Sequence, residues 1–572
     1  MLGLGGPYYH DASACLVVDG RIVAFAEEER FSRRKHHKDS RSCGVSAAYC
    51  LSEAGITLAE VDEIAIAFNP AWPEPSDVCT DGELIAELLD PALFGHHQPG
   101  QVTVVEHHFA HAASAFHPSG FDDAAVLVVD GSGDGVSATL AHGTASGLKV
   151  LRQWPFSQSL GWFYETVAEH LGLGDWTSSG KLMGLAGYGT PHYDLPFLTP
   201  ESGGYRLDLS PYGIRPEEPI DDQYKDLRYY RRLKKAYAAA YTDLGIPPHR
   251  RARNYAAATS RVIADTGFLP EHADLAASAQ QLLEQCLVEL AREALAATGA
   301  SRLCVAGGVG LNCSANGRLA ALRGVDELFV QPAAGDAGCA IGAALEVALR
   351  RGDLTLPGPA MTTAALGPSF SDATIHAALT EYGLPFRDHG ANLPAVVARH
   401  LALGQVAGWF QGRMEAGPRA LGQRSILADP QHVEARDRIN NTIKHREPWR
   451  PLAPALLEDA GPGLLGTSTA YPFMIVARQA TGTAREMIPA AVHTDGTLRP
   501  QTVARDGCSP YSELLVQFAE QTGRPPALLN TSFNHEAEPI VCSPRDAVAT
   551  FAASPLGMLA IGPFLVQKDG RI

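Results

Sequence analysis

Residues 104–117, VVEHHFAHAASAFH, hold four histidines, and imidazoles at neutral pH either ligate metals or move protons. In a helix, His107 and His111 stand one turn apart on one face, as two ligands to one ion must. His108 and His117 then point elsewhere. The competing reading is a polar helix face, since the chain carries 21 histidines. Two aspartates are candidates to complete a ligand set. Asp130 ends the apolar run AAVLVVD and opens the turn GSGDG, and Asp336 lies in QPAAGDAGCAIGAA, between a strand ending near Val330 and an apolar helix. Both sit at strand-to-loop edges, where α/β sheets place their ligands. With His107 and His111 they would form a two-histidine, two-carboxylate set suited to iron, manganese or zinc. The alternative makes both aspartates turn residues or helix caps. A metalloprotease helix is excluded, because H-E-x-x-H needs a glutamate where residue 108 is His.

Other stretches could hold phosphate. VAGGVGLN, with Gly307, Gly308 and Gly310, follows a buried strand and precedes a helix start, so its backbone N–H groups can approach a phosphate or ribose. Many such turns only require positive φ. Lys181 in SSGKLMGLAGYG lacks the G-x-x-x-x-G-K-[ST] pattern, which excludes a P-loop NTPase. Lys35 in SRRKH is suited to a phosphate or an adenylate, against the reading of a solvated basic edge.

These residues need a scaffold. Residues 1–30 read as strand, Gly-rich turn, strand, an Asp-Gly turn at Asp19 and Gly20, then a third strand. Residues 124–151 repeat that scheme, which predicts an internal duplication. Helices are predicted over 42–55 and 274–299, and strands alternating with helices imply an α/β core. The Pro- and Gly-rich stretch 352–370 predicts a boundary between a domain of residues 1–355 and one of residues 366–572. Residues 200–255, polar and poorly periodic, read as an insertion.

A chain of 572 residues is too long for one core. Hydrophobic residues at 45% and charged residues at 19% are globular proportions. The formal charge of -17 opposes a nucleic-acid partner. Ten cysteines without a C-x-x-C pair, and no targeting or membrane-length apolar segment, predict a reducing cytoplasm and no membrane contact.

Seven stretches in order, HDASACLVVDGRIVAFAEEERFSRRKH, HHFAHAASAF, SGKLMGLAGYG, VAGGVGLN, GPRALGQRSILADP, KHREPWRPLAPALL and LNTSFNHEAEPIVCSP, resemble the O-carbamoyltransferases of natural-product biosynthesis. That group includes the tobramycin, cephamycin and nodulation-factor carbamoyltransferases. The resemblance implies an N-terminal domain of the actin-like ATPase class, built from duplicated β-β-β-α units. It is fused to an α/β domain similar to threonylcarbamoyl-adenylate synthases. It also implies that carbamoyl phosphate and ATP give carbamoyl-adenylate, whose carbamoyl group moves to a substrate hydroxyl.

By the same resemblance, His107, His111, Asp130 and Asp336 match the metal ligands, with iron(II), Fe2+, the implied ion or another divalent metal in its place. His10 in PYYHDAS matches a histidine that accepts the hydroxyl proton; the alternative is a turn cap beside Asp11. Lys35 and Lys444 join it as expected catalytic residues. Ser132, Lys181, Gly307, Gly308, Gly310 and Asn312 are the expected nucleotide contacts. Arg419, Lys444, Arg450, Arg499, Asn530 and Ser532 are the expected carbamoyl phosphate contacts, drawn from a basic theme that also includes Arg413, Arg424 and Arg446. Guanidinium forks and a lysine point charge suit such a dianion. NHEAEP at 534–539 departs from the Arg-Gly often found in relatives. The expected partners are small molecules: carbamoyl phosphate, ATP and a hydroxylated natural product. A homo-oligomeric state is left open. An actin-fold kinase of a small molecule is the alternative of another reaction class. A nucleotide-dependent partner in tRNA modification or hydrogenase maturation is a third reading.

Overall fold

The computed structural model describes all residues except 7–9, 73, 75, 96–100, 216–222, 246–247, 249–269, 506–508 and 569–572. The chain forms two units. The first comprises Met1–Glu28 with most of the chain from His36 to Met361, and the second comprises Glu29–Lys35 with Thr362–Ile572.

The first unit contains two five-stranded sheets. One uses β1 (Leu2–Gly5), β2 (Ser13–Val18), β3 (Arg21–Glu27), β4 (Ile64–Ile66) and β5 (Val102–Val104) in the order β3-β2-β1-β4-β5. The other uses β6 (Asp123–Gly133), β7 (Val136–Thr144) and β8 (Gly147–Pro155). After the hairpin β9 (Leu198–Glu201) and β10 (Gly204–Leu207), it adds β11 (Arg302–Ala306) and β12 (Glu327–Val330), in the order β8-β7-β6-β11-β12. In both sheets the first three strands are antiparallel neighbours and the last two pair in parallel. The duplication predicted from the repeated three-strand scheme therefore extends to strand order and sense. The tight turn between β2 and β3 uses Asp19 and Gly20, both at positive φ (49° and 69°), the backbone that a two-residue hairpin demands.

The parallel strands β4 and β11 read as apolar runs because both of their faces are covered. Helix Cys339–Arg351 packs on β1, β2 and β4, and helix His107–Phe116 packs on β6, β7 and β11; the two helices also pack on each other. They meet backbone to backbone: a Cβ at Gly342 would stand 1.8 Å from the Ala110 carbonyl oxygen. Only a residue without a side chain allows this crossing, which sets the histidine helix at its depth.

The stretch 200–255 differs from its reading as a poorly periodic insertion. It holds β10 and the helix Gln223–Asp243, while residues 249–255 lie outside the described residues. Tyr229, Leu233, Ala236, Tyr237, Ala240 and Tyr241 are buried, an i, i+4, i+8 stripe in which the tyrosine rings do the apolar packing. Counting Tyr as polar hid the period.

The second unit is built on an eight-stranded mixed sheet. In it β13 (Phe386–Asp388), β14 (Ala407–Phe410), β15 (Arg424–Ala428) and β16 (Ala453–Leu457) are joined by β19 (Gln501–Val503), β20 (Ala527–Ser532), β21 (Met558–Ile561) and β22 (Phe564–Gln567); β17 (Arg478–Gln479) and β18 (Thr497–Leu498) form a separate ribbon. Glu29–Lys35 is tied into this unit. Arg30 donates to the Gly417 carbonyl (2.7 Å), Arg33 to the carbonyls of Ile540 (2.7 Å) and Pro539 (2.9 Å), and Phe31 packs on Met414, Ile540 and Cys542.

Candidate active site

Four ligand atoms, one each from His107, His111, Asp130 and Asp336, lie within 4.8 Å of one another, and all four residues are buried. The two Nε2 atoms stand 3.1 Å apart. Asp130 Oδ2 lies 3.4 Å from His107 Nε2 and 3.6 Å from His111 Nε2, and Asp336 Oδ1 lies 3.7 Å from both. Donors around an ion with bonds of about 2.0–2.2 Å are separated by about 2.8–3.6 Å in octahedral (adjacent) or tetrahedral geometry. Two imidazoles and two carboxylates facing one point at this spacing fit a divalent metal. Without one, burial favours a neutral Asp130, yet the hydrogen bonds from His107 and His111 hold it well below the usual carboxylate range; burial disfavours a charged His111, but Cys339 and the hydrogen bonds to Asp130 and Asp336 push it well above the usual imidazole range.

Local sequence makes this geometry. His107 opens its helix, and its N–H donates to Asp134 Oδ2 at 2.8 Å; the Asn69 N–H does so at 3.0 Å. Asp134 thus caps the helix from the turn that follows Asp130. A Cβ at Gly133 would fall 1.8 Å from the His107 ring, so this glycine seats the imidazole. The Gly308 N–H donates to Asp130 Oδ1 at 2.9 Å and leaves Oδ2 for the histidines. Gly307, at φ 89°, lets its turn lie on β6, where a Cβ would stand 2.2 Å from the Val129 carbonyl oxygen. His108 and His117 turn away, to Thr139 Oγ1 (3.1 Å) and Glu346 Oε2 (2.8 Å).

His10 Nδ1 lies 3.1 Å from Asp11 Oδ2 and 3.7 Å from Asp336 Oδ2, so it borders the tetrad. Burial depresses its pKa, but the Asp11 hydrogen bond and the charges of Asp336, Asp11 and Asp130 outweigh burial and raise it to about 9. A cation on Asp336 and Asp130 would neutralise two of those charges, moving the imidazole back towards the range a general base needs. Asn312 is the N-cap of helix Cys313–Ala320 and exchanges amide hydrogen bonds with Gln280, both 3.0 Å. Gly310 closes the glycine turn onto the Gly307 carbonyl at 2.8 Å. Ser132 is half-buried near the end of β6, and Lys181 is half-buried on helix Ser179–Ala186.

The second unit holds a separate constellation. Lys444 is buried, and its Nζ donates to the Ser532 carbonyl (2.6 Å), Ser532 Oγ (3.1 Å) and Asn534 Oδ1 (2.7 Å). Its pKa is driven well below the usual lysine range by burial and by the charges of Arg446, Arg450 and Lys35. Arg446 is depressed in the same way, by burial, Arg450 and Arg499. Its Nε donates to Asn440 Oδ1 at 2.8 Å, while its buried Nη2 has no hydrogen-bond partner among the described residues. Cations that destabilise one another around an unpaired guanidinium N–H make a site for an anion. Asn530 faces inward, donating to the Ala420 carbonyl (3.2 Å), Gln501 Oε1 (3.4 Å) and the Tyr511 hydroxyl (3.1 Å), and Arg419 is half-buried beside Ala420.

Two members of the basic theme do not join this cluster. Arg424 is fully buried and gives its protons to the carbonyls of Gln411 (2.8 Å) and Pro368 (3.0 Å), and Arg413 donates to that of Leu366 (2.6 Å). They satisfy loop backbone. Sequence reasoning assigned no site role to Arg446, Asn534, Asp134 or Gly133. The second Asp and Gly of DGSGDG, just past Asp130, were the available signal for the last two.

A duplicated α/β unit carrying a metal-type tetrad makes up the first half. The family models agree over both halves: carbamoyltransferase N-terminus matches residues 1–74 and 83–345, and carbamoyltransferase C-terminus matches residues 398–568. The chain belongs to the carbamoyltransferase family. It is 36% identical to nodulation protein NolNO of Sinorhizobium fredii, over 99% of this chain and 80% of that one. To nodulation protein NolO of Bradyrhizobium diazoefficiens it is 38% identical, over 81% and 79%. It is also 34% identical to the uncharacterized protein sll1178 of Synechocystis, over 100% and 97%.

Proposed function

We propose that this protein is an ATP-dependent O-carbamoyltransferase that moves the carbamoyl group of carbamoyl phosphate to a hydroxyl of a small natural product. The observation that carries this reading is the buried pair Lys444 and Arg446 with the half-buried Arg450 beside them, and an Arg446 guanidinium N–H without a partner among the described residues, in a chain of the carbamoyltransferase family. A dianion such as carbamoyl phosphate offsets the mutual repulsion of these cations.

Atom balance sets the steps. Water cleaves the mixed anhydride of carbamoyl phosphate, giving carbamate and inorganic phosphate. A carbamate oxygen then attacks the α-phosphorus of ATP, and pyrophosphate leaves. Finally the acceptor oxygen attacks the carbamoyl carbon of the adenylate as AMP departs and the hydroxyl proton passes to a base. Lys444 positions Ser532 and Asn534 around the first anion, and Arg446, Arg450 and Arg499 supply its charge complement. His10 takes the final proton. His107, His111, Asp130 and Asp336 would hold iron(II), which when bound neutralises and orients phosphate oxygens. The glycine turn at 307–310, without side chains at 307, 308 and 310, lets a nucleotide approach its backbone. The described cysteines are free and buried, in keeping with a reducing cytoplasm, and among the described residues no helix is long and apolar enough to cross a membrane.

Incubation with ATP, carbamoyl phosphate and iron(II) tests the proposal. Pyrophosphate is the expected product. Its absence, with and without acceptors, sinks the adenylate route, and ADP with a phosphorylated acceptor would make the protein a kinase.

A further inference from the structure

We propose that Asn530 is the specificity residue of the anion site in the second unit: its side-chain oxygen reads an N–H donor on the ligand and so separates a carbamoyl group from an acetyl group of the same shape and charge. This deepens the reading of that site as the place of carbamoyl phosphate and rests on it.

The orientation of the carboxamide is forced. A main-chain carbonyl only accepts hydrogen bonds, so the group that Asn530 turns to the Ala420 carbonyl, 3.2 Å away, is its NH2. Gln501 agrees. Its own NH2 donates to the Leu421 carbonyl at 2.7 Å, which leaves Oε1 to face Asn530 Nδ2 at 3.4 Å. The Tyr511 hydroxyl accepts from the same Nδ2 at 3.1 Å. Reversing the amide would set oxygen against oxygen at the Ala420 and Gln501 contacts, so Oδ1 points away from them. There it is buried without a hydrogen-bond partner among the described residues, on a residue only 2% exposed. A buried acceptor lacking a donor is unfavourable and rare, and a ligand N–H is the group that satisfies it.

The frame around the amide is rigid. Three successive carbonyls, of Ala420, Leu421 and Gly422, accept from the buried side chains of Asn530, Gln501 and Trp409, the last at 2.9 Å. Gly422, at φ 99°, lets that loop lie on the helix Pro510–Thr522, where a Cβ would stand 2.1 Å from the Tyr511 ring. Sheet geometry then places the amide beside the cations. Asn530 and Ser532 stand two residues apart on β20 and share one face, about 7 Å from each other. Ser532 Oγ accepts from Lys444 Nζ at 3.1 Å. A ligand held by its phosphate at Lys444 and Ser532 has Asn530 next along that face.

Calorimetric binding of two hydrolysis-resistant phosphonates to the full-length chain tests this. Phosphonoacetamide carries the amide of carbamoyl phosphate; acetonylphosphonate carries a methyl group in place of the NH2 and the same charged end. The wild type is expected to bind the amide at least about tenfold more tightly, because a site built to hydrogen-bond a ligand N–H rejects the analogue without it. Asn530→Leu, of similar volume, should bring the ratio to within about twofold by weakening the amide, with the ketone held within about threefold of its wild-type affinity. A merely structural role for Asn530 would weaken both phosphonates alike. That outcome, equal binding by the wild type, or no binding of either phosphonate overturns the proposal, and the wild-type comparison decides it where Asn530→Leu does not fold. The expected ratio without any pyrophosphate from ATP and carbamoyl phosphate would remove the transfer route and leave recognition of the amino group standing. A ratio near one with pyrophosphate formed would do the reverse.

Discussion

The residues of the tetrad face one another only because their neighbours aim them. Asp130 could ligate through either oxygen, and the Gly308 N–H decides which; His107 could swing on its helix, and Gly133 leaves room for one ring position. Outer partners of this kind tune metal affinity by roughly 10–100-fold. Asp134→Ala is therefore expected to weaken metal binding by about tenfold or more and to destabilise the fold by about 2 kcal/mol, since two backbone N–H groups lose their acceptor. Metal titration and urea unfolding check both. His111→Ala should lower bound metal from one per chain to near none, measured by elemental analysis. The sequence made the two histidines and two aspartates legible through helical spacing and strand-end position. It could not make Asp134 legible, because an aspartate in a Gly-rich turn is explained equally well by the turn itself, and its hydrogen bond to a helix 27 residues away in the chain is a fact of tertiary structure.

Helices set where those residues stand. Helix His107–Phe116 and helix Cys339–Arg351 are joined at one point by the Gly342 crossing and at another by the buried pair His117 Nε2 and Glu346 Oε2, 2.8 Å apart. Burial would raise the Glu346 pKa, yet the His117 hydrogen bond and charge, with Arg350, hold it below its ordinary 4.5. A depressed folded-state pKa gives stability that is complete above the unfolded value and is lost as pH falls through the folded one. Glu346→Gln is thus expected to cost about 1.5–3 kcal/mol at pH 7, and the gap to wild type should narrow below a pH of about 4.5. Unfolding curves at a series of pH values measure it; a gap constant in pH would contradict the pairing. The elements of the first sheet could be read from turn signals and apolar runs. The helix Gln223–Asp243 could not, because its buried stripe is made of tyrosines whose burial depends on the helices and loops they pack against, Phe163 and Phe197 among their neighbours.

Across the whole molecule, the first unit carries the metal-type tetrad and the second the Lys444 and Arg446 cationic cluster, the two parts that the proposed reaction calls for. In the sequence the resemblance singles out Arg419, Lys444, Arg450 and Arg499 from the basic theme of the second unit and leaves Arg446 with Arg413 and Arg424. Arg424 and Arg446 look alike in the chain, and only burial against carbonyl oxygens, or against other cations, separates a loop staple from an anion site. Arg446→Met should accordingly raise the KM for carbamoyl phosphate at least about tenfold while leaving unfolding nearly unchanged, whereas Arg424→Met should destabilise the fold. The most direct test follows ATP labelled at its α-phosphate in the presence of carbamoyl phosphate. Label is expected in a carbamoyl-adenylate and then in AMP, with pyrophosphate released. Label recovered only in ADP would contradict the adenylate route.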